Sequence, residues 1–138
     1  MRYLGLDLGT KTLGLSMSDP MGMIASSYKI LRHDSEYDKL IDMLEEIITE
    51  NNVSELVLGF PKNMNNTVGE RGVIALEFKA KLEERFHLPV HMQDERLSTV
   101  EAENLLIAND TSRKKRKKVI DGLAATIILQ SYLDRKER

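Results

Sequence analysis

The sequence contains no cysteine, which excludes disulfide bonds, thiolate nucleophiles and cysteine-ligated metal sites. It has no uninterrupted apolar run of about 18 residues, the length that a membrane-spanning helix needs. The chain reaches its first acid at Asp7 without an apolar signal segment before it. These absences lead us to expect a cytoplasmic protein with no membrane partner. Neither the GxGxxG pattern nor GK followed by Ser or Thr is present, so we expect no nucleotide cofactor.

Charge is distributed unevenly along the 138 residues, which are few enough to form one domain over 1–138. Residues 113–118 read "RKKRKK" and hold six consecutive cations. Removing these six from the net charge of −2 leaves −8 on the other 132 residues. A basic segment on an acidic body is either a solvated loop or an arm that contacts phosphate.

Apolar periodicity predicts five strands and four helices. The predicted helix after the third strand is capped by Asp34 or Ser35, and a capping box at Ser98 and Glu101 opens the third helix. We expect strands at 2–9, 12–19, 24–32, 54–60 and 90–95, helices at about 35–50, 72–86, 98–108 and 119–133, and a basic loop before the last helix. This order predicts an α/β fold with a five-stranded mixed sheet flanked by helices. Its first three strands form an antiparallel meander.

Acidic residues occur where a buried element would normally be apolar. Asp7 lies within the first strand, Glu95 follows Asp94 at the end of the fifth, and Asp121 borders the apolar stripe of the last helix. Each acid alone has an ordinary interpretation: a turn hydrogen bond, an exposed strand end, or a helix-dipole acid. Three segments that bring acids to one place instead indicate a site for Mg²⁺ or Mn²⁺. A pair of such ions about 3.5–4 Å apart would suit phosphodiester hydrolysis.

Four motifs carry a resemblance that spans nearly the whole chain. "DLGTKTLGLSMSD", "LGFPKNMNNTVGERG", "DERLST" and "DGLAATIIL" occur in this order. Together they resemble the YqgF, or RuvX, family of the RNase H-like superfamily. The resemblance implies an RNase H-like fold with the first strand central, and a metal-dependent nuclease. It also implies that Asp7, Glu95 and Asp121 are the catalytic, metal-binding acids. The family is described as maturing the 5′ end of pre-16S ribosomal RNA and as resolving Holliday junctions.

The sequence departs from the usual family pattern at Thr12, whereas Ala124 agrees with the YqgF group and differs only from the related RuvC resolvases. The family usually has Lys-Arg after its first DxGT motif, whereas this chain has Lys11-Thr12. The related RuvC resolvases have a further acid where this chain has Ala124. The fourth ligand is either Asp94 or a water, or it is absent, so the number of metal ions stays open.

Polar residues near these motifs are candidates for binding the substrate. The loop after the fourth strand and the start of "DERLST" should flank one cleft, and the basic run should contact the phosphate backbone. The candidates are Lys11, Asn63, Asn65, Thr67, Arg71, Arg96, Arg113, Lys114, Lys115, Arg116, Lys117 and Lys118. The alternative for each is a polar surface position. The expected partners are RNA (pre-16S ribosomal RNA or the ribosomal particle) or branched DNA.

Two other classes of protein compete with the nuclease interpretation. "DLGT" also opens the phosphate-binding hairpin of actin-like ATPases and sugar kinases, where Gly9, Thr10 and Lys11 would cradle phosphate. Those proteins enclose their nucleotide between two such domains, and 138 residues supply one. The second alternative is a catalytically silent module that binds RNA or the ribosome. A metal titration would separate that module from the enzyme.

Overall fold

The structure is a computed structural model that describes residues 2–60, 69–94 and 113–136, with backbone alone for 113–122. Its strands are β1 (Arg2–Leu8), β2 (Thr12–Ser18), β3 (Ala25–Arg32), β4 (Val53–Phe60) and β5 (Val90–Asp94). Its helices are α1 (Tyr37–Glu50), α2 (Glu70–Phe86) and α3 (Arg113–Lys136). No helix in this described part is long and apolar enough to cross a membrane.

The five strands form one mixed sheet in the order β3-β2-β1-β4-β5. The first three strands pair as an antiparallel meander, and β4 and β5 extend the sheet parallel to β1. The predicted α/β class, the meander and the central first strand are therefore confirmed. Since β1, β4 and β5 are parallel, their carboxyl ends meet at one edge of the sheet.

One face of the sheet carries the larger apolar core. Leucines that alternate along β1 and β2 point to this face, where they pack against the buried sides of α1 and α2. Phe78 of α2 is 1% exposed and Leu44 of α1 is fully buried. Burial of this kind contributes about 25 cal/mol per Å² of apolar surface, so this face supplies most of the stability.

Helix α3 covers the opposite face and approaches β1 and β2 closely. A Cβ built on Gly5 would overlap the Ser16 Oγ atom of β2, and it would lie 2.8 Å from Leu129 Cβ and 3.2 Å from the Ala125 carbonyl oxygen. The Ser16 hydroxyl donates to that carbonyl at 2.7 Å. The missing side chain at Gly5 lets the helix sit against the strand, and Ser16 fixes its position along it.

A polar cluster holds the carboxyl end of α3. His91 Nε2 lies 2.8 Å from Glu55 Oε1, and the His91 ring stacks on Tyr132 at 4.8 Å between centroids. Burial by itself would raise the pKa of Glu55, but hydrogen bonds from His91 and Tyr3 outweigh it and hold that pKa below its usual range. Lys136 lies 5.3 Å above the Tyr3 ring. The cluster joins β1, β4, β5 and α3.

Two local predictions were wrong. The basic run was expected to be a loop, but residues 113–118 form the first turns of α3, continuous with the predicted last helix. Arg and Lys favour helices, and no Gly or Pro separates them from Val119. Neither Asp34 nor Ser35 caps α1: its N-cap is Glu36, without a side-chain cap bond, and Ser35 has a positive φ of 70°. The helix predicted at 98–108 lies outside the described residues.

We predict that Gly5→Ala lowers the free energy of unfolding by about 1–3 kcal/mol, because the added methyl group displaces the Ser16 hydroxyl from its bond to Ala125 and forces α3 away from β1. Gly9→Ala is the control, since a Cβ there would meet only Thr12, at 3.3–3.4 Å, and the destabilisation should be smaller. Urea denaturation of both variants measures the difference. Equal destabilisation would show that the helix does not depend on this contact.

Candidate active site

Asp7 lies near the carboxyl end of β1, on the face that α3 covers. It is half-buried, and it alternates with Leu6 and Leu8, which point to the other face. Its partner on β2 is Gly14. On β4 the pair after Leu6–Leu58 brings Gly59 beside it. The carboxylate therefore lies between two strand positions that have no side chain.

The chain leaves the sheet at the same edge in two more places. Strand β4 ends at Phe60, and β5 ends at Asp94. Arg71, in the first turn of α2, donates from Nη2 to the Leu8 carbonyl oxygen at 2.9 Å. Ligands commonly gather at this edge in open sheets with parallel strands. The two segments predicted to flank one cleft lie largely outside the described residues, so the cleft stays a prediction.

His33 holds the turn that follows Asp7. Its backbone N–H donates to the Lys11 carbonyl at 2.9 Å, and its Nε2 lies 3.0 Å from the Gly9 carbonyl oxygen. Nδ1 accepts the Ser35 N–H at 3.1 Å, so the proton belongs on Nε2, which donates to Gly9. The ring also packs on Tyr37, with centroids 5.6 Å apart. The 9–12 turn is thus tied to the start of α1 from two sides.

Helix α3 runs antiparallel to β1. Tyr3 lies beside Tyr132, with centroids 6.0 Å apart, and Gly5 lies against Ala125 and Leu129. Two strand residues advance about 6.7 Å and four helical residues about 6 Å, so the two elements stay in step. One further step brings the helix backbone near position 121 to the level of Asp7. The side chain of Asp121 is not described, so its convergence with Asp7 stays a prediction.

Gln93 shares this face with Asp7 and lies two strands away. It pairs with Gly59, and it alternates with Val90 and Met92, which belong to the other core. Its side-chain oxygen Oε1 is buried, and within the described residues it has no hydrogen-bond partner. A buried acceptor in this state costs about 1–3 kcal/mol. It therefore marks a place where a donor or a cation would be stabilised.

The other predicted site residues divide into two groups. Lys11 is exposed in the turn after β1. Asp94 is the last residue of β5, and the alternation of that strand places it on the face opposite to Asp7, which argues against Asp94 as a fourth ligand. Arg113–Lys118 begin α3. Glu95, Asn63, Asn65, Thr67 and Arg96 lie outside the described residues.

A divalent cation suits the part of the site that can be seen. A carboxylate on a stiff strand, two adjacent glycines and an orphaned amide oxygen form an oxygen-lined recess, the donor chemistry that Mg²⁺ and Mn²⁺ prefer. Among the described residues no group of three acids or histidines lies close enough to hold a metal. Any complete ligand set would therefore include side chains outside the described ones, and Glu95 and Asp121 stay the predicted candidates.

A family model described as "RuvX: Holliday junction resolvase" matches residues 1–135. The chain belongs to the RuvX family. Two relatives carry the name "Putative pre-16S rRNA nuclease". The one from Geobacillus kaustophilus (strain HTA426) is 55% identical over 137 residues, covering 99% of both chains. The one from Bacillus subtilis (strain 168) is 52% identical over 135 residues, covering 97% of this chain and 98% of its own.

Solved structures place this RuvX chain in the RNase H-like fold. RuvC from Thermus thermophilus, in complex with a Holliday junction substrate, matches with a TM-score of 0.61 at 14% identity, covering 99% of this chain and 96% of that one. A ROK family protein from Streptococcus pneumoniae matches with a TM-score of 0.51 at 16% identity. The match covers 77% of this chain and only 38% of that longer protein. Both likenesses are evidence of fold alone.

Sequence reasoning missed three residues that shape this site: Gly5, His33 and Gln93. The alternation of apolar and polar residues in "VHMQDE" could have placed Gln93 on the face of Asp7. Nothing local distinguishes His33, because its partners at Gly9 and Lys11 are more than 20 residues away. The approach of α3 to Gly5 is likewise invisible before the sheet is assembled.

We predict that His33→Phe loosens the turn after Asp7, because the ring still packs on Tyr37 but can no longer form either nitrogen bond. Amide exchange in a fragment covering residues 9–12 should accelerate about fivefold, the equivalent of one hydrogen bond. Tyr28→Phe is the control: it removes a bond between Tyr28 and Asn51 elsewhere. Unchanged exchange in His33→Phe would mean that the backbone bonds alone hold the turn.

Proposed function

We propose that this RuvX chain is a metal-dependent endonuclease that matures the 5′ end of pre-16S ribosomal RNA in the cytoplasm. The observation that carries the proposal is the position of Asp7 between Gly14 and Gly59, on the face that α3 covers and at the edge where three parallel strands end. The names of relatives more than 50% identical over nearly the whole chain support the choice of RNA.

Asp7, Glu95 and Asp121 form the proposed catalytic set, arriving from β1, the end of β5 and α3. When bound, Mg²⁺ or Mn²⁺ would supply Lewis acidity for phosphodiester hydrolysis. Asp7 contributes negative charge at a position that the sheet keeps rigid, with its neighbouring turn held by His33. The Arg71 bond to the Leu8 carbonyl steadies the same strand end. These contacts fix the carboxylate before the substrate arrives.

The basic turns of α3 form the proposed phosphate-binding arm. Positions 113–118 precede position 121 by three to eight residues, or about 4.5–12 Å along the helix axis. Cations at a helix N-terminus oppose the helix dipole and repel one another, and phosphate relieves both effects. The arm thus brings a polyanion to the acidic site on a predominantly acidic protein. Asn63, Asn65, Thr67, Arg71 and Arg96 are the proposed contacts on the other side of the cleft.

A four-way DNA junction is the second candidate substrate. The family description and the fold shared with a junction-bound RuvC favour it. Purified protein should be incubated with 5′-extended 16S precursor, free and in ribosomal particles, and with a four-way junction, each with and without Mn²⁺. Mn²⁺-dependent cleavage of the precursor alone supports our proposal. Cleavage of the junction alone assigns the second function, and binding without cleavage indicates a silent RNA-binding module.

We predict that Asp7→Asn abolishes cleavage and leaves the fold intact, because it removes charge at nearly constant shape. Its melting temperature should match or exceed that of the wild type, since a carboxylate beside other acids is replaced by a neutral amide. Asp38→Asn, an exposed change on α1, is the control and should cleave normally. Full activity in pure Asp7→Asn protein would make Asp7 a structural residue.

We predict that replacing four lysines of the arm with serine weakens RNA binding at moderate salt, with little decrease in turnover at saturating RNA. The slope of log K against log salt should flatten by about 0.7 for each phosphate that the arm no longer neutralises. The replaced residues are Lys114, Lys115, Lys117 and Lys118. The control removes four cations from the opposite helical layer: Lys39, Lys79, Lys81 and Arg85. If the variant fails only to cleave the particle-bound precursor, the arm docks on the ribosomal particle. If neither the affinity nor the salt slope changes on either substrate, the arm is a solvated helix that does not contact RNA.

A further inference from the structure

Gln93 is a half-buried polar residue that the proposed catalytic set does not use. Its Oε1 atom is buried and lacks a hydrogen-bond partner in the described part of the chain. It shares a sheet face with Asp7, and the position between them on β4 is Gly59, which has no side chain. The two side chains therefore border one recess with nothing projecting between them from the intervening strand.

Other polar groups on this face are already paired. The Ser16 hydroxyl donates to Ala125, the Ser18 hydroxyl accepts the Tyr3 N–H, and His91 bonds Glu55. Gln130 of α3, the other glutamine of the chain, accepts the Ala25 N–H at 2.8 Å and donates to the Met23 carbonyl at 3.0 Å. The Gln93 Oε1 atom thus differs from these polar groups, each of which has a hydrogen-bond partner. This difference indicates that Oε1 accepts a hydrogen bond from a ligand.

We infer that Gln93 is a positioning residue for the divalent cation of this site, accepting a hydrogen bond from its hydration shell. The inference rests on the proposed function, because it assumes a cation at Asp7. A hydrated cation supplies what Oε1 lacks, which is a donor on the Asp7 side of the recess.

Spacing favours a contact through water over direct ligation. Strands β1 and β5 are two steps apart, about 9.6 Å between backbones. In a contact through water, the cation lies about 2.1 Å from the carboxylate oxygen and about 2.1 Å from the water, and the water donates to the amide oxygen at about 2.8 Å. If these atoms are in line, the carboxylate and amide oxygens are about 7 Å apart. Each side chain then leans inward by just over 1 Å. Direct ligation by both would span about 4.2 Å, and each side chain would have to lean about twice as far.

The test compares two glutamine variants of the full chain, Gln93→Met and Gln130→Met. Methionine keeps the unbranched shape and removes the amide. We measure the melting temperature without metal and Mn²⁺ affinity by calorimetry. Gln93→Met should melt close to the wild-type temperature, because the Oε1 atom that it removes has no hydrogen-bond partner within the described residues. It should bind Mn²⁺ about tenfold more weakly. Gln130→Met should melt about 3–6 °C lower and bind Mn²⁺ normally.

Gln93→Glu adds a second criterion, because a carboxylate keeps the acceptor, and its Mn²⁺ affinity should equal or exceed that of the wild type. Wild-type Mn²⁺ affinity in Gln93→Met overturns the inference, and so does a drop in its melting temperature as large as that of Gln130→Met. Normal Mn²⁺ binding with weaker binding of precursor RNA would also overturn it, assigning Oε1 to a ribose hydroxyl. If the wild type cleaves and Asp7→Asn does not, these results reject only the role of Gln93. Absence of Mn²⁺ binding and of cleavage in the wild type rejects the proposed function itself.

Discussion

The close packing of α3 on β1 is the constraint on which the site depends. Gly5 has no side chain to keep the helix away, and the hydrogen bond from Ser16 to the Ala125 carbonyl sets its position along the strand. Because both elements advance at similar rates, the contact made at Gly5 determines what faces Asp7 one turn later. The cluster of Tyr3, Glu55, His91 and Tyr132 fixes the other end of the helix. A shift at either contact would move Asp121 relative to Asp7.

The two faces of the sheet differ in the groups they bury. The face beneath α1 and α2 is almost wholly apolar, whereas the face beneath α3 includes hydroxyls, a histidine–glutamate pair and Asp7. Polar groups lower stability when they are buried without partners, so most of those beneath α3 are paired. The apolar face compensates for the Gln93 Oε1 atom on the other, which has no hydrogen-bond partner in the described part of the chain. Most of the apolar burial and the proposed chemistry therefore lie on opposite faces of one sheet.

Charge is separated along the molecule as well. Six cations occupy the first turns of α3, and the remainder of the chain carries a net charge of −8. An acidic protein with an acidic site repels nucleic acid at long range unless a local positive potential guides it. Helical structure makes the arm a direct extension of the element that carries Asp121. In the proposed function, phosphate binding and catalysis are therefore coupled through one rigid helix rather than through a flexible loop.

Sequence alone determined the mixed sheet, its meander and the place of Asp7 on the first strand, because alternation and helical periodicity are local properties. It also identified the RuvX family, whose motifs are contiguous segments. It did not predict that residues 113–118 are helical, since a run of cations has no apolar period to mark its structure. The roles of Gly5, His33 and Gln93 were decided by tertiary structure alone. Each depends on partners brought from distant segments, and the distance of a helix from a strand or the satisfaction of a buried oxygen exists only after the sheet has formed.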